Sequence, residues 1–134
     1  MIIAETSGWE TQTPWGVAIG LAALLIGGGA LVAWIGVRAR RGSLPRNALV
    51  GIRVPETLDD DDAWRVAHES GSGLLIASGL LPCVLGIALL ARPSENVSVV
   101  LTSTGIIGMC VLVLLAGRRG VQAVRAQPNP GDAH

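Results

Sequence analysis

Side chains able to do chemistry are concentrated in one polar stretch of the chain. Arg46, Asn47, Gly51 and Arg53 come first, then the run Asp59, Asp60, Asp61 and Asp62, then Trp64, Arg65 and His68. Four carboxylates near an imidazole invite a metal-site reading. They lack the spacing of a calcium loop, however. On a helix, consecutive side chains also point in different directions and cannot all meet one ion. Helix capping and solvation account for them better, and no metal site is expected. Histidine ordinarily titrates near neutral pH, so His68 is a candidate pH sensor or ligand, with a plain polar contact at the membrane surface the simpler reading. Arg53 carries a planar fork of donors suited to carboxylate or phosphate. No nucleophile–base pair, paired carboxylates at fixed spacing or phosphate-binding loop accompanies these residues. Cys83 and Cys110 stand alone inside apolar runs and read as small buried apolar side chains. The expectation is therefore a recognition surface and not an enzyme, with no cofactor. A membrane enzyme built on His68 and the aspartates is a third and weaker reading.

The elements that must position this stretch are apolar. The chain has 134 residues, half of them hydrophobic, with 18 Gly, no Phe and no Tyr. A soluble core of this size would use aromatic bulk. Leu, Val, Ile, Ala and Gly instead suit closely packed membrane helices. Uncharged runs cover residues 15–37, 72–91 and 97–117. At a rise of ~1.5 Å per residue, the first is about 34 Å long, enough to cross a hydrocarbon core of about 30 Å. In lipid a backbone must satisfy its own hydrogen bonds, so each run is predicted to be a helix. The fold class expected is an all-α membrane protein with three transmembrane helices and a short interfacial cytoplasmic helix. The spans contain no ionisable side chain, which argues against an ion pump or a proton-coupled transporter. The formal net charge is zero, so nucleic acid is not an expected partner.

Arginine placement orients the chain. All ten basic residues are Arg, and every one except Arg92 falls either in residues 38–71 or in residues 118–134. The excess of basic residues marks the cytoplasmic side. The expected order is residues 1–14 outside, the first span, a cytoplasmic loop at 38–71, the second span, an outside loop at 92–96, the third span, and a cytoplasmic tail from 118 whose end is disordered. A cleaved signal peptide fits the first span poorly, because its start is acidic and arginines follow it. Trp9 and Trp15 suit the outer interface and Trp34 the inner one.

Within the loop, Arg38, Arg40 and Arg41 form a basic collar, and Pro45 and Pro55 break any continuous helix. Thr57 reads as an N-cap, with Asp59 and Asp60 in the first turn of a helix over residues 58–69. Asp61 and Arg65 are spaced to pair. Trp64 and His68 share a face, and this helix would lie on the membrane and lead into the second span. Pro82 is expected to kink that span. Gly16 with Gly20, Gly27 to Gly29, and Gly73 with Ala77 are small-residue faces that permit close helix approach. Packing within the bundle is the first reading of these faces, and contact with another copy or a partner subunit the second.

At the polar loop the chain resembles the SdpI family of bacterial membrane proteins. The resemblance rests on Arg46-Asn47, Gly51-Ile52-Arg53, Pro55, Thr57-Leu58, Trp64 and His68, all preceding an apolar span. Val54 stands where the family usually has Thr. The namesake of the family protects its producer from a secreted toxic peptide and helps relay the toxin's presence. The resemblance implies a multi-pass protein of the bacterial cell membrane, acting in immunity or signalling without catalysis. It implies a recognition surface made of Arg46, Asn47, Gly51, Arg53, Trp64 and His68. Its partners would be the bilayer and a protein or peptide bound through the loop or the glycine faces. The alternative is an accessory subunit of a larger membrane complex.

Overall fold

The computed structural model of the protein describes residues 11–45 and 60–128. Three helices organise them: α1 (Trp15–Arg40), α2 (Asp61–Leu89) and α3 (Glu95–Arg125). Each is long and apolar enough to cross a membrane. Helices α1 and α3 contain the uncharged runs 15–37 and 97–117, while α2 ends at Leu89, two residues short of the end of the run 72–91. Charges sit where the helix dipoles favour them. Asp61 and Asp62 open α2, Glu95 opens α3, and Arg38 and Arg40 close α1.

Helix α2 is the central element. It packs along both α1 and α3, which meet each other only marginally. Of the apolar stretch of α2, 33% is buried, against 11% for α3. The rest of α3 presents Val99, Val100, Ile107 and Leu114 outward, as a lipid-facing helix does.

The α1–α2 seam is built from glycine. A Cβ added to Gly29 would strike the Gly79 carbonyl and come within 2.9 Å of Pro82 Cγ. One added to Gly36 would lie 2.8 Å from the Ile76 nitrogen, and one added to Gly86 would lie 2.8 Å from Ile26 Cγ1. Gly29 and Gly36 are seven apart on α1, as Gly79 and Gly86 are on α2, so the same helix face returns to the antiparallel seam. Without side chains the backbones approach closely, which is the main source of helix association in lipid. Pro82 lies inside α2, its ring buried in this seam, and α2 continues through it. On the other side of α2, Gly71 lies against the Ala116 carbonyl. All three helices meet where Leu25, Leu89 and Leu101 gather.

Away from the polar loop, the α2–α3 turn is clasped by the segment before α1. Gln12 and Ser94 form an antiparallel bridge. The Thr13 amide donates to the Pro93 carbonyl and the Glu95 amide to the Thr11 carbonyl. Thr13 Oγ1 donates to the Pro93 carbonyl at 2.9 Å and lies 2.6 Å from Ser98 Oγ. A hydroxyl has one proton to give, so Ser98 is the donor of the second bond. Arg92, at φ 53°, donates from Nε to the Thr13 carbonyl and stacks over Trp15. At the other end of α1, Arg38 stacks over Trp34. Trp15 and Trp34 are about 28 Å apart along the helix axis, close to the thickness of a hydrocarbon core.

Several expectations are corrected. No separate interfacial helix occurs among the described residues. Asp61 to Glu69, expected on the membrane surface, form the first turns of α2 and run straight into the second apolar stretch. A helix whose first polar turns pack in the bundle has no reason to break before the span. The cap is Asp60, whose carboxylate accepts from the Asp62 amide at 2.9 Å. Thr57, Asp59 and the start of the expected 58–69 helix lie outside the described residues, as do Trp9 and the end of the tail. Gly16, Gly20, Gly27, Gly28 and Gly73 have no neighbour within 4 Å of where a methyl group would stand, so they do not pack the bundle. Cys110 is exposed on the outer side of α3 and is not buried.

Candidate functional site

The described part of the site forms where the end of α1 turns back across the start of α2. Gly42 takes φ 62°, a left-handed conformation that suits glycine just past a helix end. The Arg41 amide donates to the Val37 carbonyl and the Gly42 amide to the Ala39 carbonyl, closing α1. Ser43 is tied back to Arg38 by its amide and its hydroxyl, and Arg38 in turn donates to the Ser43 carbonyl. The chain then passes over α2, where Trp64 Nε1 donates to the Leu44 carbonyl at 3.1 Å.

Trp64 is 3% exposed and His68 2% exposed. Their rings stack with centroids 4.1 Å apart, as the four-residue spacing on one helix face allows. His68 Nδ1 lies 2.7 Å from the Trp64 carbonyl. A carbonyl only accepts, so Nδ1 carries the proton and the neutral ring keeps its lone pair on Nε2. His68 stands in the polar turns ahead of the apolar stretch of α2. Burial disfavours the imidazolium and lowers the His68 pKa, partly opposed by the bond to the Trp64 carbonyl, which raises it.

Beside this buried pair lies a charged rim. Arg65 pairs with Asp62 at 3.2 Å and approaches Glu69 at 3.9 Å. Arg65 takes Asp62 and Glu69 as its partners, where the spacing points to Asp61. These exposed pairs contribute roughly 0–1 kcal/mol and define a surface more than they hold the fold. A cavity of about 350 Å³ opens between the turn and the helix, lined by Gly42, Leu44, Asp61, Asp62, Trp64 and Arg65. Among the described residues, no three of His, Cys, Asp and Glu converge into a metal-holding group.

Of the six residues expected to form a recognition surface, the structure brings Trp64 and His68 together as a buried, stacked pair. Trp64 ties the turn to α2 through its Nε1–H, and neither ring offers an open face. Arg46, Asn47, Gly51 and Arg53 lie outside the described residues. Sequence reasoning missed Leu44, which acts through its carbonyl. A backbone acceptor leaves no residue-type signal. It also missed Gly42, whose position just after a run of arginines ending a helix is a recognisable stop signal.

The sequence profile of the SdpI/YfhL protein family matches residues 43–117, more than half of the chain. The match begins at the turn that carries the Leu44 carbonyl and runs through α2 into α3. No curated protein and no solved structure matches the chain.

Proposed function

The chain belongs to the SdpI/YfhL protein family, and from that premise we propose that this multi-pass membrane protein recognises a protein or peptide through its polar loop, in toxin-peptide immunity or membrane signalling. The observation that carries the reading is the tie between Leu44 and the buried Trp64–His68 pair. It anchors the beginning of the loop to the central helix, so Arg46, Asn47, Gly51 and Arg53 follow from a fixed point. Arg53 and Arg46 supply forked donors for a carboxylate or phosphate on the partner. The role is non-enzymatic and needs no cofactor.

We place the loop and the C-terminus in the cytoplasm and the N-terminus outside, in a bacterial cell membrane. Support comes from the arginines, all of which except Arg92 lie in the loop or after the third span. Deleting the gene should raise sensitivity to membrane-active toxic peptides, with wild-type protein restoring resistance and Arg53→Ala failing to do so at equal abundance. Unchanged sensitivity of the deletion strain to every peptide tested would remove the immunity reading.

One observation favours the second reading, an accessory subunit. Gly16, Gly20, Ala23, Gly27 and Ala30 share one face of α1 and are all exposed. The three glycines meet nothing within 4 Å. Such a face lets another helix approach closely. Purification in mild detergent followed by mass spectrometry separates the readings. A stoichiometric partner lost on Gly20→Leu favours the subunit, and a lone chain removes it.

A further inference from the structure

The helices carry two pairs of arginines to one level at the loop end of the bundle. Gly36 of α1 faces Leu75 and Ile76 of α2, and Gly71 of α2 faces the Ala116 carbonyl of α3. Counting along the antiparallel helices from these contacts puts Arg40, Arg41, Arg118 and Arg119 within about 5 Å of one another along the bundle axis. The pairs flank α2 on opposite sides. All four residues are exposed. Among the described residues none of them makes an ion pair, while Asp62 and Glu69 at the same end are taken by Arg65. Trp34, stacked with Arg38 at 5.1 Å, marks the same end as a membrane interface. Guanidinium groups at that depth meet lipid phosphates, whose geometry matches their forked donors.

We propose that this rim is a binding surface for anionic phospholipid headgroups, one cluster on each side of α2. Each engaged arginine strengthens the attraction about fivefold. The full chain, reconstituted into nanodiscs of phosphatidylcholine with a minor fraction of phosphatidylglycerol, should retain phosphatidylglycerol several-fold above its bulk share, as read by native mass spectrometry. Replacing Arg40, Arg41, Arg118 and Arg119 by Gln should return the ratio to bulk, while replacing them by Lys should keep most of it. Should the Gln variant fail to fold, raising the salt concentration on the wild type reads the same contacts and should erode the enrichment. Equal retention of both lipids by the wild type would overturn the proposal. So would a folded Gln variant with full enrichment, a salt-insensitive ratio, or displacement of the lipid by inorganic phosphate, which would reassign the site to a soluble anion.

Discussion

Trp64 holds two roles that separate by substitution. Its ring fills the space between helix and turn, and its Nε1–H binds the Leu44 carbonyl. Trp64→Phe keeps most of the ring and leaves that carbonyl unpaired. Thermal unfolding in detergent should show a loss of about 1–3 kcal/mol. Trp64→Ala also opens a cavity and should cost about 3–5 kcal/mol. Equal losses in the two variants would mean that the indole N–H contributes nothing. His68 adds a pH dependence of known sign. Its pKa is lowered from 6.5 in the fold, chiefly by burial. The unfolded chain therefore binds the extra proton first as pH falls. Stability is fully present above pH 6.5 and declines below it, towards the lowered pKa of the fold. Trp64 emission and hydrogen exchange at Ser43 and Leu44 should show the turn loosening under mild acid in the wild type, and less in His68→Gln. A turn that tightens in acid would reverse the assignment.

At the scale of elements, the glycine seam is the most sensitive place in the bundle. Any side chain at Gly79 meets the Gly29 carbonyl and the Ala33 amide, which are backbone and cannot rotate away. Gly79→Val should therefore separate α1 from α2 and abolish the folded bundle, while Gly20→Val, on an open face, should leave the melting temperature unchanged. Cysteine cross-linking between α1 and α2 reads this directly. The clasp is milder. Thr13→Val removes the acceptor of the Ser98 hydroxyl and the donor to Pro93, a loss of about 1–3 kcal/mol for the buried groups left unpaired. Proteolysis of the segment before α1 should speed up accordingly. The spans were legible in the sequence because uncharged apolar runs of that length have few other uses. The small-residue faces were legible as a class, yet the wrong glycines stood out. Gly16 and Gly20 show the spacing, whereas Gly29 meets Gly79 only through an antiparallel register that no local pattern records. Asp61 to Glu69 belong to α2 and not to a separate interfacial helix for a related reason. Thr57 and the aspartates resemble a helix start, but Asp60 makes the cap, and the polar turns continue into the span because Trp64 and His68 bury themselves.

For the whole molecule, one central helix does most of the positioning. Helix α2 packs both neighbours, anchors the turn at Leu44 through Trp64 and carries the charged rim, so the turn and the bundle are held together by one element. The family resemblance was readable from Arg46-Asn47, Gly51-Ile52-Arg53, Trp64 and His68, and the profile match extends it from Ser43 to Gly117. The burial of Trp64 and His68 was not readable, since an amphipathic surface helix and the first turns of a packed helix share the same spacing. The proposed recognition role requires the polar loop to face the cytoplasm and the clasp to face outward. Single cysteines at Ser43, beside the loop, and at Asn96, beside the clasp, report this in a chain with Cys83 and Cys110 replaced by Ala. Both positions are exposed. In intact cells a membrane-impermeant maleimide should label Asn96→Cys and spare Ser43→Cys until the membrane is opened. Labelling of Ser43→Cys in intact cells, with Asn96→Cys protected, would invert the topology and contradict cytoplasmic recognition by the loop.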